Sequence, residues 1–234
     1  MFVLNIETSN KNCSVCVSDL SGKVLIEKSQ LAESHAAVLM PMIDSCLQEI
    51  KISYTDLCGV AVSNGPGAYT ALRVGVSTAK GLCYSLDIPL IAVDSLKMFA
   101  EKVFSDIQNE NAIYCPMFDA RRMEVYTSFY AFRKKQIEEV ESIQALIITE
   151  NVFDKYLEAG KAIILCGFGA EKLIPLFENK RSIKFYDEKK YPTAAMMCAA
   201  STKAFREKKF EDLETYAPLY LKPPNITISQ KKIF

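Results

Sequence analysis

Few residue combinations in this chain are suited to making or breaking a bond, and each has a plainer reading beside the chemical one. Cys13 and Cys16 form a C-x-x-C, a spacing used for redox or zinc chemistry. They sit in NCSVCVS, which alternates as a strand does, so the two thiols are expected on opposite faces. Cys46, Cys58, Cys83, Cys115, Cys166 and Cys198 lie inside apolar segments and read as reduced core residues. His35 is the only histidine, beside Glu33 and Ser34 at an expected helix start, where capping or an interface outweighs catalysis. A peptidase fails for want of a Ser/His/Asp set or metal ligands. Asp119 stands with Arg121 and Arg122; a guanidinium could hold a phosphate, although an Asp-to-Arg salt bridge is the plainer arrangement.

Five of the nine glycines fall in CGVAVSNGPGAYTALRVGVSTAKG, between Gly59 and Gly81. A strand ending at Ser63, a tight turn over Asn64 to Gly67 and a helix starting near Thr70 would leave free N–H groups able to bind an anion. Equally, Gly65 and Gly67 could simply relieve strain between strand and helix. The segment is neither a P-loop nor a dinucleotide fingerprint.

These residues need a scaffold, and 234 residues, half of them hydrophobic and 24% charged, suffice for one large or two small domains. Lys plus Arg and Asp plus Glu both number 28, so strong affinity for nucleic acid is not expected of the chain alone, and RNA work would need help. No apolar stretch approaches the ~18 residues of a membrane span. MFVLNIETSN lacks the basic region and cleavage site of a signal peptide, so a complete, cytoplasmic protein without membrane contact is expected.

A pattern repeats along the chain. Strands are expected at Phe2 to Glu7, Cys13 to Ser18 and from Gly22 through Gln30. An apolar stripe of Leu39, Met42, Ile43, Cys46, Leu47 and Ile50 predicts a helix with Pro41 in its first turn or at a kink. A strand at Cys58 to Ser63, a helix at about Tyr69 to Leu86, a strand at Pro89 to Val93 and a helix from Ser95 follow. The second half repeats the order: strands at Ala112 to Phe118, Glu124 to Phe132 and from Gln136, helix Thr149 to Glu158, strand Ala162 to Cys166, helix from Ala170, strand Ile183 to Phe185, helix from Pro192. Two such copies predict an α/β protein of two similar lobes, each a mixed sheet with helices: residues 1–106, residues 107–222, then an extended tail, 223–234. This duplicated, actin-like/ribonuclease H-like architecture resembles the actin, Hsp70 and sugar-kinase superfamily, in which two β-turns clasp nucleotide phosphates.

Gly75 and Gly81 inside a helix each cost roughly 1 kcal/mol relative to alanine. Ala71, Gly75, Thr78, Ala79 and Leu82 share one side, a smooth surface for a close helix contact, either with the protein's own Leu39 helix or sheet or with another subunit. Ala36, Ala37 and Met40 lie outside the Leu39 stripe and enlarge that apolar surface. On the subunit reading, Gly75→Leu abolishes pairing and leaves the monomer folded.

IETS at Ile6 to Ser9, HAAVLMPMID at His35 to Asp44, SNGPGAYTALRVGVSTAKGLCYSLDIPLIAVDSL at Ser63 to Leu96 and FDARRMEVY at Phe118 to Tyr126 resemble the TsaB (YeaZ) family. YPTAAMMCAAS and APLYLKPP resemble it more weakly. The resemblance implies an actin-like scaffold for tRNA threonylcarbamoyladenosine formation that pairs with a catalytic TsaD-like paralogue. It further implies work with a TsaE-like ATPase, contact with tRNA only through the complex, and self-pairing when the paralogue is absent. The implied partner interface draws on the helices His35 to Ile50 and Thr70 to Leu86: His35, Ala36, Leu39, Met40, Ile43, Ala71, Leu72, Gly75, Thr78, Ala79 and Leu82. TsaD-type enzymes hold a metal with two histidines and a carboxylate, which a chain with one histidine cannot build.

Phosphate-binding relatives carry a carboxylate, a glycine and a hydroxyl in the first turn. Glu7, Thr8, Ser9, Asn10, Lys11 and Asn12 include no glycine, so their side chains should crowd that approach. Together with Asp119, Arg121, Gly167 and Gly169, the residues Glu7, Thr8 and Ser9 mark a vestigial or weak nucleotide cleft, with no cofactor required. The competing expectation is an ATP-dependent small-molecule kinase with Glu7 or Asp119 as base.

Overall fold

The computed structural model describes residues 1–188 and 190–222, so the expected tail at 223–234 lies outside the described residues. The first lobe is built on a five-stranded sheet of order β3-β2-β1-β4-β5: β1 (Phe2–Glu7), β2 (Asn12–Asp19), β3 (Val24–Leu31), β4 (Leu57–Ser63) and β5 (Leu90–Val93). Strands β1, β4 and β5 run parallel, and β2 and β3 extend the sheet antiparallel. Central β1 is covered on both faces, which its near-continuous apolar run FVLNIE allows. Edge strand β3 buries only Ile26 fully.

The second lobe repeats this plan as β10-β9-β6-β7-β8: β6 (Ala112–Asp119), β7 (Glu124–Arg133), β8 (Gln136–Ile147), β9 (Ala162–Cys166) and β10 (Ile183–Tyr186). Here β6, β9 and β10 are parallel and β7 and β8 antiparallel, the same topology once more. This is the duplicated actin-like α/β fold.

Helices α1 (His35–Glu49) and α2 (Tyr69–Leu86) lie side by side on one face of the first sheet, sharing a core of Ile6, Val15, Leu39, Ile43, Val62 and Ala79. Pro41 is the seventh residue of α1, past the first turn, on its exposed side. Asp87, in the left-handed region at φ 52°, ends α2. Helix α3 (Ser95–Ile107) is capped by Asp94, whose carboxylate accepts from Leu96 N and Lys97 N, both at 2.9 Å.

The helices of the second half are shorter than periodicity suggests. Only α4 (Asp154–Glu158) forms within Thr149 to Glu158, because Val152 N and Asp154 N bond three residues back in successive turns. From Ala170 the chain makes a 3-10 turn and then the single turn α5 (Ile174–Phe177), where Pro175 supplies no N–H. A 3-10 turn over Ala194–Met197 precedes α6 (Cys198–Arg206).

The lobes interlock. Leu96, Phe99 and Val103 of α3, from the first half, pack on Tyr114 and Tyr130 of the second sheet. Met197 and Cys198 of the second half pack on Val3, Ala61 and Ile91 of the first sheet. Beyond α6 the chain straps the first lobe: Glu211 N donates to Leu90 O at 2.9 Å and Leu219 N to Asn64 O at 2.8 Å. The stretch expected as lobe two, 107–222, thus gives its last helix and this strap to lobe one. Among the described residues no helix is long and apolar enough to cross a membrane.

Candidate functional site

Strand β1 delivers Glu7 to a tight turn in which three amides are held by protein oxygens. Ser9 N donates to Glu7 Oε1 at 2.5 Å, Thr8 N to Ser63 Oγ at 3.1 Å and Asn12 N to Asn10 Oδ1 at 2.7 Å. The loop before α2 then lies directly on it. Ala68 N donates to Ser9 O at 2.8 Å, and a Cβ on Gly67 would stand 2.1 Å from that same oxygen. Gly67 is therefore required by close backbone approach. Three amides of this turn, those of Thr8, Ser9 and Asn12, are thus committed to protein oxygens and are not offered to a polyphosphate. Glu7 is fully buried, and burial pushes its carboxyl up to about 7 against the lowering pull of Ser9 and Ser63 beside it. Glu7 Oε2, Thr8 Oγ1 and Ser9 Oγ have no partner among the described residues.

The facing turn differs from the expected Asp-to-Arg pair. Asp119 is bridged by Lys172, which also donates to Glu124 O at 2.6 Å. A lysine reaching across from the neighbouring loop takes the place open to either guanidinium. Arg121 and Arg122 adopt left-handed φ of 76° and 50°, and only the backbone N–H of Arg121 bonds Asp119, at 3.1 Å. Gly167 and Gly169 do not line the cleft. They let their loop close on β6: a Cβ on Gly169 would meet Asp119 N at 2.8 Å, and one on Gly167 would meet Met117 O at 2.7 Å. Phe168, between them, faces the cleft and stacks on Phe118 at 4.8 Å.

Between the turns lies a cleft of about 720 Å³. Of the expected cleft residues, Ser9, Asp119 and Arg121 line it, while Glu7 and Thr8 lie behind its wall. Lys11 of the first turn lines it as well, and the rest of its notable lining was not anticipated: the rings of Tyr69, Tyr126, Tyr191 and Tyr220 and the cations Lys190 and Lys222. Tyr69 and Tyr126 fall inside recognisable motifs, but residues so distant in the chain converge only through the fold. Among the described residues no cluster of three His, Cys, Asp or Glu side chains could hold a metal.

The second feature is the outer face of α1 and α2. Ala36 and Met40 of α1 are exposed, and Thr78 and Leu82 of α2 are half-buried. Leu39, Ile43, Ala71, Leu72, Gly75 and Ala79 are buried within the monomer, so they do not offer an open surface. Gly75 in particular abuts Thr8, and the glycine on the open side is Gly81, around whose Cβ position nothing described lies within 4 Å. Gly75→Leu would therefore injure the monomer, contrary to expectation. His35 is buried as the first residue of α1. Burial lowers its pKa, and Nε2 has no partner among the described residues. It is not the cap: Ser34 holds that position, without a side-chain bond.

Comparison with known proteins now bears on this arrangement. Residues 26–229 match the family model described as TsaD: tRNA N6-adenosine threonylcarbamoyltransferase. The tRNA threonylcarbamoyladenosine biosynthesis protein TsaB of Buchnera aphidicola subsp. Schizaphis graminum is 30% identical over 194 residues, 82% of this chain and 89% of that protein. The chain belongs to the TsaB (YeaZ) family. The TsaB of Bacillus subtilis is 33% identical over 150 residues, 64% of each chain. YeaZ from Pseudomonas aeruginosa shares the fold, with a TM-score of 0.78 and 22% identity over 94% of this chain and 99% of that one. The segment GPGAYTALRVGVSTAKGL thus divides into two tasks: Gly67 and Gly75 pack on the first turn, while Gly81 leaves open space at its place on α2.

Proposed function

We propose that this chain is a non-catalytic subunit in tRNA N6-threonylcarbamoyladenosine formation, docking through the outer faces of α1 and α2 onto a TsaD-like catalytic paralogue. The observation that carries this reading is the open surface around Gly81 of α2, together with the exposed side chains of Tyr84 on the same helix and Met40 on α1, on helices already packed to each other inward. A flat surface lets a partner helix approach closely, and family membership supplies the partner's class. The same face would serve self-pairing when the paralogue is absent. A TsaE-like ATPase and tRNA would join through the pair. Activation would be a population effect, as large as the preference of the paralogue's competent state for this chain over its incompetent one.

The kinase alternative loses ground at the first turn. The amides of Thr8, Ser9 and Asn12 are taken by protein oxygens, the Ser9 carbonyl is covered by the α2 loop, and Glu7 is sealed behind the cleft wall. Any nucleotide binding there would be weak.

Co-purification of the full chain with its TsaD-like paralogue tests the reading. Gly81→Arg should abolish pairing at an unchanged melting temperature. Pairing that survives Gly81→Arg and Met40→Glu together would overturn the docking face. Turnover of a small acceptor with Mg-ATP by this chain alone would overturn the non-catalytic assignment.

A further inference from the structure

The inter-lobe cleft is poorly made for a triphosphate yet rich in features that suit another ligand. Each wall carries rings. On the first-lobe wall, Tyr69 at the start of α2 and Tyr220 of the strap lie 4.7 Å apart between centroids, and the Arg73 guanidinium sits 4.9 Å over the Tyr69 ring. On the second-lobe wall, the Phe168 and Tyr191 centroids are 5.6 Å apart, and Tyr126 of β7 also lines the cleft. Lys190 Nζ lies 5.8 Å from the Tyr191 ring centroid. Aromatic side chains beside cations are the means by which proteins hold unpaired bases, since every base has a face to stack.

The charges at the cleft are arranged differently from those of a triphosphate site. Lys11 and Arg121, from the two facing turns, are exposed and make no ion pair among the described residues. Lys190 and Lys222 are held in place by Glu171 and Glu124. These are separated side-chain cations spread over both lobes. Such spacing suits the singly charged phosphates of a diester backbone.

We infer that the cleft between the lobes takes unpaired nucleotides of an RNA strand, stacking their bases between its two aromatic walls while Lys11 and Arg121 meet the flanking phosphates. The inference rests on the proposed role in tRNA modification and deepens it by giving this chain its own RNA contact. A net charge of zero is compatible with it. Stacking supplies much of the affinity, and the chain's balanced acids prevent general adhesion to nucleic acid.

The test is fluorescence anisotropy of the full chain with a labelled, unstructured RNA oligomer of about ten nucleotides, with AMP and polyglutamate as competitors. Binding should be saturable and weaken with salt. Arg121→Ala and Tyr191→Ala should each reduce affinity roughly tenfold. Arg121→Ala should also flatten the logarithmic salt dependence by about 0.7, the value for one phosphate contact on a single strand. Lys208→Ala, an exposed cation outside the cleft, should change nothing.

Because Arg121 is exposed and its side chain packs on nothing the fold needs, the proposal stays testable should Tyr191→Ala fail to fold. Absence of binding, indifference to Arg121→Ala, or competition by AMP or polyglutamate as strong as by unlabelled oligomer would each overturn it. Gly81→Arg should leave RNA binding intact, and Arg121→Ala should leave pairing intact, so failure of the cleft and failure of the docking face are separately visible.

Discussion

Gly75 of α2 faces Thr8 of the first turn so closely that a Cβ at Gly75 would stand 2.2 Å from the Thr8 hydroxyl oxygen. The contact locks the partner-facing helix to the turn at the base of the cleft. Gly75→Ala should destabilise the protein by about 1–3 kcal/mol despite the better helix propensity of alanine, because Thr8 is wholly buried and has little room to move. Thr8→Ala in the same molecule should recover most of that loss, since the offending oxygen is gone. A double-mutant cycle by urea unfolding measures it, and simple additivity of the two changes would show that the contact is not the cause.

Gly67, just before α2, and Gly81, within it, should respond to alanine in opposite senses. Gly81→Ala should stabilise by roughly 0.5–1 kcal/mol, as open space surrounds that Cβ position and the helix gains propensity. Gly67→Ala should cost several times as much, about 3 kcal/mol or more, because its Cβ meets a backbone carbonyl that no rotamer change can move. Thermal unfolding of the two variants side by side decides this.

Stability should carry the signature of Glu7. Its carboxyl titrates at about 7 in the folded protein, against 4.5 ordinarily. Between those values the folded state keeps the proton that the unfolded state releases. The Glu7 contribution is thus fully present below about pH 4.5 and is lost as pH rises through 7, by about 3 kcal/mol in all. Glu7→Gln keeps an acceptor for Ser9 N and removes the titration. Urea unfolding of both proteins at about pH 5 and about pH 8 should therefore show the variant gaining on the parent at the higher pH. Equal differences at the two pH values would refute the assignment.

Pairing through α1 and α2 should respond to the exposed residues and ignore the buried stripe. Tyr84, 84% exposed, can become Glu with little effect on folding, and the change should weaken association with the paralogue at least tenfold. Ala79→Ser, fully buried, should lower the melting temperature and leave the affinity of the folded fraction unchanged. Calorimetric titration of each variant separates the two effects.

The elements proved legible where one face alone decides. The stripe from Leu39 to Leu47 marked the buried side of α1, and the alternation through NCSVCVS sent Cys13 to the α1–α2 core and Cys16 to the opposite face, 3.4 Å from Cys198 Sγ. The bounds of α2 agree with the expected Tyr69 to Leu86. Which glycine of α2 faces outward was not legible, because Gly75 and Gly81 share the same helical propensity and differ only in what the fold sets beside them. Lys172 as the partner of Asp119, and the convergence of Tyr69, Tyr126, Tyr191 and Tyr220, depend on loops from both lobes meeting, for which local pattern carries no signal.

The exchange of α3 and α6 between the sheets makes the two halves mutually dependent. A fragment ending at residue 106 would keep the α1–α2 side of its sheet covered but bare Val3, Ala61, Ile91 and Val93 on the reverse, while α3 would trail with Phe99 and Val103 in water. The remaining fragment would lose the cover over Tyr114 and Tyr130. Neither piece is an autonomous module. Co-expressed, however, each would supply the helix the other lacks, so a chain cut near residue 108 should reassemble by complementation.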